Sequence, residues 1–130
     1  MIRDFEEVNA VGGKIIKIWP AGDTLSRVAE VYENHIWPNS QKGVNMHFKA
    51  DLLLVLQEGQ CEVRTYSRKD LELISNEQMG PSRQAVMIRA GTPFSIHNSP
   101  KSVAVFLVLS SEPHSKQDLV KFAIPGMKSR

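Results

Sequence analysis

The chain has 130 residues, of which 42% are hydrophobic, and this is the size of a single domain with one core. The 16 lysine and arginine residues and the 14 aspartate and glutamate residues are interleaved, and the formal net charge of +2 excludes the basic stripe of a nucleic-acid-binding protein. No apolar run approaches the ~20 residues needed to cross a bilayer, and the one cysteine, Cys61, excludes an internal disulfide.

Short strands separated by turn residues account for most of the chain. We expect residues 1–12 to form an N-terminal arm and residues 13–110 to form a barrel. Within the barrel, apolar runs predict strands over residues 14–19, 25–32, 43–48, 52–57, 61–67, 71–74, 85–89, 94–98 and 103–110. The tight turn Glu58-Gly59-Gln60 predicts a hairpin between two of these strands.

The tail has a helical pattern. Ser115 is a suitable N-cap, Leu119, Val120 and Phe122 form an apolar side, and Pro125-Gly126 is a stop signal. We therefore predict a short C-terminal helix over residues 115–124. Many short strands with one terminal helix favour an all-β barrel or double sheet. An immunoglobulin-like sandwich lacks support, because no Cys…Trp…Cys spacing is present.

Two stretches resemble the two sequence motifs of the cupin superfamily. The first runs from Asn45-Met46-His47 through Leu52 to Gly59, where the motif has His-x-His, then Glu, then Gly. The second, "AGTPFSIHN", ends at Asn98, where the motif has Gly, then His, then Asn. The resemblance implies an RmlC-like jelly-roll barrel, also called a double-stranded β-helix, and a single cupin domain over residues 1–130.

The metal-binding positions of these motifs are altered in this chain. They hold Asn45, His47, Leu52 and Phe94. A first-row metal ion needs at least three histidine or carboxylate donors that converge on one point. Leucine and phenylalanine donate nothing, and an amide oxygen is a poor ligand for such ions. We therefore predict no tightly bound metal and no other cofactor.

A closer resemblance lies in the run from Lys42 to Lys49, "KGVNMHFK", and in "LLLVLQEGQCEV" after it. The first run is similar to the Arg-Gly-Phe-His-Ala-His-Lys signature of the sugar 3,4-ketoisomerases. The related dTDP-4-dehydrorhamnose 3,5-epimerases carry Arg-Gly-Leu-His at the same strand. The resemblance implies a metal-free enzyme, dimeric, that acts on a nucleotide-linked 4-keto-6-deoxy sugar. The first histidine of the signature is Asn45 here, and its arginine is Lys42.

The isomerisation of a keto-sugar needs a base near neutral pH and a group that stabilises an enolate oxygen. His47 is the predicted general base, because histidine titrates near pH 7. Asn45, two residues away on the same strand face, is the predicted hydrogen-bond donor to the oxyanion. Tyr32 or Tyr66 is the predicted acid.

The predicted substrate-binding residues include cations for a phosphate group. They are Arg27, Lys42, Lys49, Phe94 and His97. The two remaining histidines, His35 and His114, are expected to be loop residues in solvent.

Two other functions stay open from the sequence. One is a cupin that binds a small ligand without catalysis, since an apolar pocket with a few polar groups is typical of ligand sites in general. The other is an atypical metal cupin built on His47 and His97. We further predict a homodimer in the cytoplasm, in which the arm residues Ile2, Phe5 and Val8 contact the second copy. The predicted partner is a small molecule or a sugar nucleotide, with no nucleic acid and no membrane.

Overall fold

The computed structural model of the protein describes residues 2–99 and 102–122. The regular elements in these two ranges are strands. They are β1 (Ile2–Asp4), β2 (Glu6–Ala10), β3 (Gly13–Lys17), β4 (Glu30–Ile36), β5 (Ser40–His47), β6 (Leu52–Glu58), β7 (Cys61–Tyr66), β8 (Leu73–Met79), β9 (Gln84–Ile88), β10 (Phe94–Asn98), β11 (Ala104–Ser110) and β12 (Leu119–Lys121). The described residues include no helix that could span a membrane.

The strands form two five-stranded antiparallel sheets and one separate hairpin. The first sheet has the order β1-β9-β6-β11-β4, and the second has the order β12-β5-β10-β7-β8. The hairpin consists of β2 and β3. Neighbouring strands in a sheet are mostly distant in sequence, as in a jelly roll. The all-β jelly-roll barrel that the sequence predicts is confirmed. The hairpin expected between residues 52–57 and 61–67 is wrong, because the chain crosses from one sheet to the other at Glu58-Gly59-Gln60: β6 pairs with β9 and β11, and β7 pairs with β8 and β10.

The hydrophobic core lies between the two sheets. The first sheet contributes Leu54, Leu56 and Phe106, and the second contributes Val63 and Ile96, all at most 3% exposed. Strand β6 is apolar at five consecutive positions because both of its faces are buried. Its second face packs under the segment that carries Trp19 and Leu25. The protein therefore has a main core and a smaller cluster on the outside of the first sheet.

Two predicted strands are displaced in the structure. The strand expected over residues 25–32 is β4, Glu30–Ile36, which pairs with β11 from Glu30 opposite Ser110 to Ile36 opposite Ala104. The inward positions of β4 include the polar residues Tyr32 and Asn34, so apolar periodicity does not mark this strand. The strand expected over residues 71–74 runs from Leu73 to Met79 as β8.

The C-terminal helix expected over residues 115–124 is wrong for the part of it that the structure describes. A short turn, in which Asp118 N donates to Ser115 O at 3.1 Å, leads into strand β12. This strand pairs with β5, with Leu119 opposite His47 and Lys121 opposite Asn45. Pairing with the edge of the sheet outweighs the weak helical preference of the segment. Residues 123 and 124 of the predicted helix lie outside the described residues.

The segment expected as an N-terminal arm contains β1 and β2. Strand β1 pairs with β9, from Ile2 opposite Val86 to Asp4 opposite Gln84. Strand β2 pairs with β3 alone among the described strands. Residue 1 of the expected arm lies outside the described residues.

Candidate active site

A cavity of about 350 Å³ lies between the two sheets. Its apolar lining consists of Leu52, Leu54, Phe94, Ile96, Val108 and Leu119. Its polar lining consists of Tyr32, Glu33, Asn34, Lys42, Asn45, His47, His114 and Lys121. A volume of this size, lined by both apolar side chains and converging polar groups, is suited to a small polar ligand.

His47 is the last residue of β5, and its side chain is only 10% exposed. Its Nδ1 atom lies 3.7 Å from Oδ2 of Asp118, which is equally buried. The Asp118 carboxylate is held in turn by the backbone: Lys49 N donates to Oδ1 at 2.7 Å and Ala50 N donates to Oδ2 at 3.2 Å. The Asp118 carboxylate thus faces Nδ1 of the imidazole and is its nearest anionic neighbour in the site.

The electrostatic surroundings keep the His47 imidazole neutral. Burial lowers the pKa of His47 below its ordinary value, and the nearby His114 acts in the same direction. The Asp118 carboxylate opposes both effects and raises the pKa in part. A neutral imidazole is the form that accepts a proton. His47 is therefore chemically able to accept a proton from a molecule in the cavity.

Asn45 and Lys42 face the cavity together with His47, although Asn45 and Lys42 are three residues apart. In a regular strand such residues point to opposite faces. The register between β5 and β10 shifts by one residue here: Phe94 is opposite Asn45, but Ile96, two residues later, is opposite Lys42, three residues earlier. Gly43, at φ +102°, supplies the backbone conformation for this irregularity. The glycine of the signature thus aims all three polar side chains into one cavity.

Three of these polar groups have distinctive environments. Oδ1 of Asn45 is buried and has no hydrogen-bond partner in the described structure. Nζ of Lys42 donates to Oδ1 of Asn34 at 2.5 Å, and burial lowers the pKa of Lys42. Burial raises the pKa of Tyr32, and Glu30 adds to this effect, so the phenol keeps its proton at neutral pH. The cavity therefore holds a base, a phenolic donor and a cation.

Four predicted site residues lie away from this cavity. Tyr66 and His97 belong to one chain of hydrogen bonds, in which the Ser95 hydroxyl lies 2.9 Å from the Tyr66 hydroxyl and 2.8 Å from His97 Nε2. Ser95 and His97 alternate along β10 with the cavity residues Phe94 and Ile96, so they belong to its other face. Burial lowers the pKa of His97, and Arg64 lowers it further.

The other two residues are cations. Nε of Arg27 donates to Ser111 O at 2.9 Å, and its guanidinium forms an ion pair with Glu112. Lys49 lines a separate surface cavity of about 420 Å³ beside Phe48 and Asp118. The structure thus brings together His47, Asn45, Tyr32, Lys42 and Phe94 of the predicted set.

Two residues of the site, Asp118 and His114, are absent from the predicted set. The sequence predicts a helix at Asp118 and a solvent-exposed loop at His114. His114 lines the cavity, and its ring centroid lies 6.3 Å from that of His47. His35, the other histidine expected in a loop, lies in β4. The positions of Asp118 and His114 in the sequence do not predict their place in the site, because tertiary contacts of the segment after β11 bring them there.

The residues at the cupin metal positions do not fit a metal ion. Leu52 and Phe94 place hydrocarbon where the motifs place a carboxylate and an imidazole. No three His, Cys, Asp or Glu side chains form a possible metal-binding group among residues 2–99 and 102–122. The donor set around His47 is therefore suited to proton transfer rather than to coordination.

Several solved structures share this architecture. A dTDP sugar isomerase from Desulfovibrio desulfuricans G20 aligns over 97% of this chain and 85% of its own, with a TM-score of 0.78 and 14% identity. The chain has the cupin fold of the sugar 3,4-ketoisomerases. The 3,4-ketoisomerase QdtA from Thermoanaerobacterium thermosaccharolyticum, solved in complex with TDP, aligns over 92% of this chain and 85% of its own, with a TM-score of 0.70 and 18% identity.

A third structure is WlaRA, a TDP-fucose-3,4-ketoisomerase from Campylobacter jejuni. It aligns over 92% of this chain and 87% of its own, with a TM-score of 0.70 and 13% identity. No protein-family model matches the sequence, and no curated protein matches it. The likeness of this chain to the ketoisomerases is therefore one of fold, at low sequence identity.

Proposed function

We propose that this cupin is a metal-independent isomerase of a nucleotide-linked keto-sugar, with His47 as its general base. The observation that carries the proposal is the neutral, buried imidazole of His47, which lies beside Asp118 and faces the cavity. The fold adds support, since it is shared with a dTDP sugar isomerase and with two 3,4-ketoisomerases.

The reaction begins with removal of a proton from the carbon next to the carbonyl group. Nε2 of His47 accepts this proton, and negative charge develops on the carbonyl oxygen. The Asn45 amide lines the same cavity and can stabilise this oxyanion. The Tyr32 phenol, which keeps its proton at neutral pH, is a better placed acid than Tyr66, because Tyr32 alone of the two lines the cavity.

The departures from the ketoisomerase signature are compatible with substrate binding. A variant of QdtA in which a histidine is replaced by asparagine was solved in complex with TDP-4-keto-6-deoxyglucose. A cupin of this fold therefore holds a sugar nucleotide with asparagine in place of one histidine. In this chain, Lys42 and Lys121 are the cavity cations suited to the diphosphate, while Arg27 is already paired with Glu112.

The assembly and location follow the same proposal. We expect a homodimer in the cytoplasm, in which the N-terminal segment contacts the second copy. The β2–β3 hairpin supports this expectation, because Val11 and Ile15 are at least half exposed and a two-stranded hairpin is marginally stable alone.

Incubation of the purified protein with TDP-4-keto-6-deoxyglucose tests the activity. We expect NMR spectroscopy to detect conversion to the 3-keto isomer and, in ²H₂O, exchange of the proton next to the carbonyl group. His47→Asn should lower both rates by about 10²- to 10⁴-fold. His35→Asn is the matched control, because His35 is an exposed strand residue that does not line the cavity. The proposal would be refuted if the native protein showed no conversion and no exchange.

A cupin that binds a sugar nucleotide without catalysis is the second candidate. The unpartnered Oδ1 of Asn45 favours it, because this buried acceptor requires a donor that a ligand hydroxyl can supply. A thermal-shift assay with TDP and with divalent metals separates the candidates: a nucleotide shift without turnover indicates the binding protein. A shift with a metal alone indicates an atypical metal cupin.

A further inference from the structure

We propose that His114 is a second catalytic residue, which transfers the oxygen-bound proton of the sugar and so replaces the histidine that Asn45 displaces from the signature. The inference rests on the proposed isomerase function and deepens it. It assigns the two proton transfers of the reaction to two imidazoles that come from different parts of the chain.

His114 lies in the cavity close to His47 and Tyr32. Of the four histidines in the chain, His47 and His114 line the cavity. Their ring centroids are 6.3 Å apart with an interplanar angle of 62°. His114 makes a similar edge contact with Tyr32, at 6.3 Å and 67°. Three side chains able to exchange protons thus lie in sequence along one wall of the cavity.

Hydrogen bonds anchor the backbone around His114. The amide nitrogen of His114 donates to the Glu30 carboxylate at 2.8 Å. Upstream, Ser111 N donates to Asp51 O at 3.0 Å, and Ser111 O accepts a hydrogen bond from Arg27. These contacts fix the loop between β11 and β12 at two places. The side chain of His114 remains exposed and available to a ligand.

The isomerisation needs two separate proton transfers. Moving a carbonyl group from carbon 4 to carbon 3 requires one proton to move between the two carbons and another to move between their oxygens. His47 is suited to the first transfer because it is neutral and buried. Asn45 can stabilise an oxyanion but cannot carry a proton. The second transfer therefore needs a group that both gives and takes a proton near neutral pH. Burial raises the pKa of Tyr32, so its phenol is suited to donating a hydrogen bond rather than to carrying a proton between two oxygens. His114 is the other imidazole that lines the cavity.

The steps balance as follows. His47 takes the proton from carbon 3, the electrons of that bond form the carbon 3–carbon 4 double bond, and the protonated His114 imidazole gives its proton to the oxygen on carbon 4. The neutral His114 then takes the proton from the hydroxyl on carbon 3. The carbonyl group forms at carbon 3 while carbon 4 takes the proton back from His47. Both imidazoles return to their starting states, and substrate and product are isomers.

The test compares His114→Asn with His35→Asn and His47→Asn on TDP-4-keto-6-deoxyglucose in ²H₂O. Without the oxygen-bound proton transfer, an enolate still forms and returns to substrate. His114→Asn should therefore keep carbon 3 exchange within about 10-fold of the native rate and lose isomerisation by about 100-fold or more. His47→Asn should lose both, and His35→Asn neither. The thermal midpoint by circular dichroism verifies that each variant is folded, with His114→Gln as a replacement if His114→Asn is not.

A rescue experiment decides the role directly. The double variant Asn45→His with His114→Asn restores the histidine of the ketoisomerase signature, and we expect isomerisation to return to within about 10-fold of the native rate. Isomerisation by His114→Asn within about 3-fold of native would overturn the inference. Equal loss of exchange and isomerisation without rescue would overturn it as well. A native protein with neither exchange nor isomerisation refutes the proposed function instead.

Discussion

Gly43→Ala tests the backbone irregularity that aims Lys42 and Asn45 into the cavity. An added Cβ at Gly43 would lie 2.6 Å from the Phe94 carbonyl oxygen and 3.1 Å from Ser95 Cα, and both are backbone atoms. The left-handed conformation at φ +102° costs an alanine about 1 to 2 kcal/mol, and forced displacement of packed atoms adds about 1 to 3 kcal/mol. We expect a total loss of about 2 to 5 kcal/mol in the free energy of unfolding, which corresponds to a fall of about 8 to 20 °C in melting temperature at about 4 °C per kcal/mol.

Urea denaturation followed by circular dichroism measures this loss. Gly12→Ala is the matched control, because Gly12 also has a left-handed φ of +80° but no heavy atom lies within 4 Å of its added Cβ. The control should lose only the conformational part, about 1 to 2 kcal/mol. Equal losses for the two variants would refute the reasoning, since the contact with Phe94 would then contribute nothing.

Three further predictions concern buried polar groups. Asp118→Asn should lower the pKa of His47 further, because the carboxylate raises it, and NMR titration of the imidazole measures this; an unchanged pKa would contradict the pairing. Asn98→Ala should lower the free energy of unfolding by about 1 to 3 kcal/mol, because the Asn98 amide donates to the Ile36 and Ser102 carbonyl oxygens at 2.9 Å each. The exposed control Asn76→Ala should lower it by less than about 0.5 kcal/mol in the same urea assay. As the pH falls below about 7, the unfolded chain should bind a proton at His47 before the folded protein does, so the free energy of unfolding should decrease. The free energy of unfolding of His47→Asn should decrease less over the same pH range. An identical decrease would contradict the lowered pKa of His47.

Much of the barrel could be predicted from local sequence. Strands β6, β7, β10 and β11 have apolar runs of strand length bounded by glycine or proline turns, and burial of these runs in the core is what fixes them. Strand β4 was displaced in the prediction because its inward face carries Tyr32 and Asn34, which line a cavity rather than the core. Residues that serve a cavity weaken the pattern on which strand prediction depends.

The candidate site was predictable where its residues share one strand. His47 and Asn45 lie two residues apart on β5, so their common face follows from the sequence. Lys42 joins them only through the irregularity at Gly43, which strand periodicity does not predict. Asp118 and His114 follow β11 in the chain and reach the site through two kinds of long-range contact. The amide of His114 is held by Glu30, and β12 pairs with β5 directly after Asp118. Tyr66 and His97 were included because residue type alone does not give the face of a strand when a bulge shifts the register.

The pairing of β12 with β5 also sets the order in which the protein becomes functional during folding. His47 leaves the ribosome 71 residues ahead of Asp118 (118 − 47), so the imidazole exists for several seconds of synthesis without the carboxylate that faces it. A refolding chain can pair its central strands before β12 docks, and the far-ultraviolet circular dichroism signal would then recover ahead of the closing of the His47–Asp118 pair. The delay between the two signals would measure the docking of a single three-residue strand.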